Sequence, residues 1–228
     1  MKTLDIQELN HYIDRLRTKL TTVQQQMNDI RQAVHQLTSL DHALQGNMGT
    51  AIRSFFADVH EPFLQYLDNF LTEYDQALIQ LKEAVHSYEP AADGLVQQSF
   101  LENDLEHGLQ RVEDVTKGIT DEVNHEIYKI QDIISLPLLD DHDLLRGIQQ
   151  AKNNKNEVIE QLYALDRSQM NTLEPLLQEL TVMKNYMANI KDVFYLESNS
   201  ISTYDGSTLK NSSPYDEVIK EVHPPNDQ

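Results

Sequence analysis

Three constellations in this 228-residue chain have residue types that could do chemistry. The first is LQGNMGTAIRSFF, Leu44 to Phe56, where Gly46 and Gly49 stand three residues apart between two long helical runs. A Walker-type phosphate loop needs glycines followed by Lys and Ser or Thr, fed by a strand. This stretch has neither the lysine nor the strand, and the dinucleotide fingerprint fails because the run before it is helical. Gly46 instead suits the C′ position, where a left-handed residue ends a helix. Asn47 or Thr50 can then cap the next helix, so the stretch reads as the turn of an αα-hairpin.

The second constellation is Glu122 and His125, with the Glu-x-x-His spacing of carboxylate-bridged di-iron bundles. Such a site needs a second pair on another helix. The nearest analogue, Asp104 and His107, lies on the same predicted helix, about 27 Å away at about 1.5 Å per residue. The third, Asp140-Asp141-His142-Asp143, puts adjacent residues at a helix N-terminus, where they point in different directions and complement the helix dipole. No nucleophile elbow, zincin or kinase motif is present in the sequence. The residues therefore predict no catalytic site, no metal, no cofactor and no small-molecule ligand.

The charge balance sets 18 Lys and Arg against 37 Asp and Glu, a formal net charge of -19. Such a surface repels both a phosphate backbone and anionic lipid headgroups, so neither nucleic acid nor an acidic membrane is an expected partner. There is no cysteine, which removes disulfides, thiolate metal sites and cysteine nucleophiles. No apolar run approaches the roughly 18 residues of a membrane span. The opening MKTLDIQELNHY has no apolar h-region, so any export is expected to proceed without a cleaved signal peptide.

Long helices must position these residues. Ile6, Leu9, Ile13, Leu16, Leu20, Val23, Met27, Ile30, Val34 and Leu37 step by three and four, a heptad seam that needs a partner helix. A second run from Ile52 to Tyr88 carries a wider aromatic stripe, with Phe55, Phe56, Phe63, Tyr66, Phe70 and Tyr74. Pro62 should kink or break it. After a loop at Ser87 to Gly94, a third run spans about Ser99 to Ser135, with Ser99 and Glu102 fitting a capping box. Pro137 ends it. A fourth run follows, a bend is expected near Asp166, and a last helix containing Pro175 reaches about Leu196. The prediction is an all-α, elongated bundle of about five long helices. It comprises an N-terminal antiparallel hairpin over 1–88, helices over 99–197, and a linker or disordered tail over 198–228, where Ser, Asn, Asp and Pro dominate.

Several blocks in order resemble a known family: the long first helix, Leu44-Gln45-Gly46, GTAIRSFFADVHEPFLQYLDNFL, FLENDLEHGLQRVEDV, IQDIISLPLLDD and ALDRSQMNTLEPLLQELTVMKNY. Together they are similar to the LXG domain, the N-terminal domain of polymorphic toxins exported by the type VII (Esx-like) system of Gram-positive bacteria. The resemblance covers about residues 1–197. It implies a non-catalytic targeting domain related to WXG100 helical hairpins, with Leu44, Gln45, Gly46 and Gly49 in the hairpin turn. It implies partners as well: small WXG100-like adaptor or chaperone proteins and the membrane ATPase of the export machine. The toxic activity of such proteins belongs to a C-terminal domain, expected to lie outside this chain. The family's partners carry Tyr- or Phe-x-x-x-Asp export signals, and Tyr128 to Asp132 and Phe100 to Asp104 fit that spacing. The aromatic stripe is the expected partner surface, unless the later helices cover it within the chain. Two other readings stay open: a coiled-coil protein whose seam self-associates, and a bundle enzyme, which would hold metal.

Overall fold

The computed structural model describes residues 1–195 and 200–222. In order, the elements are β1 (Thr3–Asp5), α1 (Ile6–Thr38), α2 (Gly46–Phe55), a π-helical turn (Phe56–His60) and α3 (Glu61–Tyr88). Then come β2 (Leu95–Gln97), a second π-helical turn (Phe100–Leu105), α4 (Glu106–Lys129) and α5 (His142–Tyr195). A 3-10 turn (Ile201–Thr203), α6 (Ser207–Lys210) and α7 (Ser213–Val222) complete the described chain. The protein is all-α, as the apolar periods predict, with one short strand pair among the described residues. It divides into two compact units. One comprises Met1–Leu9 and Ala84–Ser168; the other comprises Asn10–Glu83 and the residues from Gln169 onward.

In the second unit α1 and α3 form the antiparallel hairpin. Arg17 grips Asp75 through Nε (2.7 Å) and Nη2 (3.1 Å), Arg31 reaches Asp68 at 3.0 Å, and Lys82 reaches Asp14 at 2.8 Å. The two sets of numbers run in opposite senses, which fixes the direction. Ile13, Leu20 and Val34 of the heptad seam are buried, as are Leu71 and Leu78 of α3. The seam thus finds a partner helix within the chain. α1 ends at Thr38, well before Gly46, which corrects the expected C′ role of that glycine. A further backbone turn closes Leu44 N–H onto Leu40 O at 2.8 Å, and the left-handed residue is needed on entering α2, not on leaving α1.

Pro62 does not break the second run. It sits at the second position of α3, directly after the π-helical turn. Backbone donors run short there, because Glu61 gives its N–H to Phe56 O, five residues back, and Pro62 has none. The Tyr186 hydroxyl of α5 supplies a donor, 2.9 Å from Val59 O and 3.5 Å from Asp58 O.

The two helices expected on either side of Asp166 are one element, α5, helical through all 54 residues. Leu165, Asp166, Arg167 and Ser168 include no Gly or Pro, and the Asp166 carboxylate accepts from the Lys2 ammonium rather than capping a new helix. The expected linker or disordered tail over 198–228 is corrected for residues 200–222. Leu209 and Val218 are fully buried there, so a segment poor in apolar residues still orders by inserting the few it has. Residues 196–199 and 223–228 lie outside the described residues.

In the first unit β1 pairs antiparallel with β2, Leu4 opposite Val96. Gln98 is buried beside this pair. Its Oε1 accepts from Lys2 N–H (2.8 Å), and its Nε2 donates to Glu102 and to the Tyr163 hydroxyl (2.8 Å each). This replaces the expected Ser99–Glu102 capping box, since Ser99 is already helical and makes no side-chain cap. α4 lies along the first part of α5 through Lys155–Glu106 (2.5 Å) and Lys152–Glu113 (2.7 Å). Hydrogen bonds from Lys117 and Lys152 hold the Glu113 carboxyl down at about 2. The third run was expected to reach Ser135, but α4 stops at Lys129. Asn124 instead folds the following loop back, accepting from Leu139 N–H at 2.7 Å and donating to Leu139 O at 2.9 Å.

Candidate functional site

The hairpin tip is built from Leu44 to Gly49 and belongs to the second unit. Gly46 has φ +78°, a left-handed conformation that costs a side-chain-bearing residue about 1–2 kcal/mol. Gly49 answers a different constraint. A Cβ there would stand 2.3 Å from the Leu44 carbonyl oxygen, because the chain of the turn crosses directly over the first turn of α2. Arg53 of α2 donates from Nη1 to that same carbonyl, and Gln45 Nε2 donates to His42 O at 2.9 Å. The turn is therefore fixed by one glycine for conformation and one for close approach. Gln45 and Gly46 are exposed and Leu44 is half-buried.

The aromatic stripe runs along α2, the π-helical turn and α3, and the chain covers much of it. Phe55, Tyr66 and Phe70 are buried, while Phe56, Phe63 and Tyr74 are half-buried. Phe55 meets Phe194 of α5 edge-on at 4.9 Å and Tyr204 at 5.6 Å. Phe55, Val59 and Leu209 form a buried cluster, with Phe56, Ile190, Phe194, Tyr204 and Tyr215 packed around it. Phe63 stacks parallel on Tyr186, with centroids 5.7 Å apart. Lys210 of α6 closes the edge with an ion pair to Asp58 at 2.8 Å, and that bond raises the ammonium's pKa. His60 stacks on Phe56 at 4.8 Å, and burial lowers its pKa.

Carboxylates gather on the neighbouring stretch, where α3, α5 and α7 meet. Glu179 is hydrogen-bonded to Glu73 and feels Glu221. Burial first, then that bond and the like charges, push it up to about 7. Tyr66 lies among Glu179, Glu221, Glu73 and Glu217, and burial followed by their charge raises it to about 12.

The remaining sequence candidates fall in the first unit. Phe100 and Asp104 stand exposed on the second π-helical turn. Tyr128 is exposed in the last turn of α4, and Asp132 is exposed in the turn that follows. Glu122 and His125 are exposed on α4, apart from Asp104 and His107 near its start. Among the described residues no three His, Asp or Glu side chains converge as a metal-binding group. No described helix is long and apolar enough to cross a membrane.

Sequence reasoning missed Tyr186, Leu209, Val218 and Gln98. A signal for α7 exists in the spacing of Tyr215, Val218, Ile219 and Val222, a helical i, i+3, i+4, i+7 pattern set in a polar surrounding. The sequence model described as "LXG domain of WXG superfamily" matches residues 2–203. This chain belongs to the LXG family. The LXG match runs from the β1 segment through α5 and ends in the 3-10 turn, so α6 and α7, which close over the aromatic cluster, lie past it. A curated relative, Toxin YxiD of Bacillus subtilis (strain 168), is 32% identical over 223 residues. That similarity covers 97% of this LXG chain and 39% of the relative, so the chain spans well under half of that toxin's length.

Proposed function

We propose that this chain is the non-catalytic targeting and partner-binding domain of a type VII-secreted antibacterial LXG toxin of a Gram-positive bacterium. In this reading it binds small WXG100-like helical adaptor proteins before export, and the assembly is handed to the membrane ATPase of the secretion machine. The toxic chemistry resides in sequence outside this domain. The observation that carries the reading is the LXG match over residues 2–203, together with a relative named as a toxin. The hairpin tip, Leu44 to Gly49, with Gln45 to Met48 exposed, is the proposed recognition point, rigid enough to be read because one glycine answers a left-handed φ and the other a close approach. Co-expression with the small helical proteins encoded beside its gene, followed by size exclusion, tests the reading. A stable complex is expected. A monodisperse monomer that ignores every such protein overturns it.

A further inference from the structure

The covered aromatic stripe leaves a different apolar surface open. Half of the exposed large hydrophobic side chains among the described residues fall between positions 112 and 144, all in the first unit. On α4, Val112, Val115, Ile119 and Val123 step by three, four and four, which puts them on one helix face. That face is distinct from the one that meets α5, where Thr120 is buried and Glu113 pairs with Lys152. The loop after α4 adds Ile133, 81% exposed, and Ile134, 51% exposed. The two hydrogen bonds between Asn124 and the Leu139 backbone tie this loop back to α4 next to Val123, the last residue of the stripe. An exposed apolar stripe along one helix face is the kind of patch that marks an interaction site.

Charge says what the occupant is. Residues 111–143 contain nine carboxylates, Glu113, Asp114, Asp121, Glu122, Glu126, Asp132, Asp140, Asp141 and Asp143, against Arg111, Lys117 and Lys129. A second copy of this chain would bring the same acidic rim and another -19 of net charge. We propose that the α4 face and its loop dock an amphipathic helix of a separate protein, its apolar side laid on Val112 to Val123 and its flanks carrying Lys or Arg. Helix-spaced apolar anchors suit a helix-in-groove contact, and the acidic rim selects and orients a basic partner. The inference rests on the targeting reading above and specifies the surface and the partner's chemistry.

The test uses the full chain and a labelled synthetic 21-residue helix of about three heptads, with Leu at the a and d positions and Lys at e and g. A matched peptide with Glu at e and g is the control. By fluorescence anisotropy the lysine peptide is expected to bind saturably. Ile119→Asp should weaken it at least about tenfold and Glu122→Lys about threefold or more, while the glutamate peptide should not bind. Ile119 is exposed, so circular dichroism of Ile119→Asp should match the parent. The added negative charge would strengthen purely electrostatic binding, so unchanged or tighter binding by Ile119→Asp overturns the proposal. Equal binding of the glutamate peptide also overturns it. So does a concentration-dependent dimer in sedimentation that Ile119→Asp abolishes, which would make a second copy the occupant. If the co-expressed small proteins bind parent and Ile119→Asp alike, this docking face is wrong and the targeting reading stands. If they bind neither, while the lysine peptide keeps its dependence on Ile119, the targeting reading fails and the surface stands.

Discussion

Replacing Tyr186 with Phe removes one oxygen and little else. The ring is fully buried and stacks parallel on Phe63, so Phe keeps the packing. What goes is the donor to Val59 O at 2.9 Å, in a stretch where Glu61 N–H has been drawn to Phe56 O and Pro62 contributes none. A buried carbonyl left without its donor costs about 1–3 kcal/mol. For a chain of this size each kcal/mol moves Tm by about 2–4 °C, so a drop of about 2–12 °C is expected. Urea unfolding followed by circular dichroism measures it directly. Burial keeps the phenol protonated well beyond its ordinary range, so the effect should not change between mildly acidic and mildly alkaline buffer. A Tyr186→Phe cost below about 0.3 kcal/mol refutes the account of this hydroxyl as a needed donor beside the π-helical turn.

Three further outcomes follow from the same geometry. Glu179 is raised in the folded state from 4.5 to about 7, so folding favours its protonated form. Its contribution to stability is fully present below the unfolded value and is lost as pH rises through about 7. Urea midpoints should therefore fall by about 1 kcal/mol equivalent from about pH 5 to about pH 8, allowing for solvent screening at a half-exposed group, and Glu179→Gln should flatten that slope. At the hairpin tip, Gly49→Ala drives a Cβ into the Leu44 carbonyl and should destabilise by more than Gly46→Ala, whose cost is the left-handed φ of about 1–2 kcal/mol; urea midpoints of the two variants rank them. Leu209→Ala, in the cluster with Phe55 and Val59, should cost about 2–5 kcal/mol. A cost near zero in thermal or urea unfolding would mean that residues 200–222 do not pack as described.

Much of the fold was legible because helix formation along this chain is a local, periodic property. The three-and-four spacing of Ile13, Leu16, Leu20 and Val23 announced a seam, and the glycine-bearing turn announced a hairpin. Element ends were less legible. Asp166 looked like a bend and Ser99 like a cap, since both types favour turns, yet Asp166 takes the Lys2 ammonium as its partner and Ser99 is already inside a helix. The candidate site was legible in part. The residue types of the turn were clear, but whether the aromatic stripe faced water depended on what lay over it.

The sequence by itself determined an acidic, cysteine-free, all-helical LXG chain with a hairpin near its start, because composition and apolar period need no knowledge of distant contacts. Only the tertiary structure decided that Phe55, Tyr66 and Phe70 are covered within the chain, that Tyr186 supplies the donor missing around Pro62, and that Leu209 and Val218 order a polar segment. It also decided that one face of α4 carries Val112, Val115, Ile119 and Val123 in water, while much of the aromatic stripe is covered. Burial depends on which residues distant in sequence come to lie over a face, and a helical period records which side chains share that face but not what covers it.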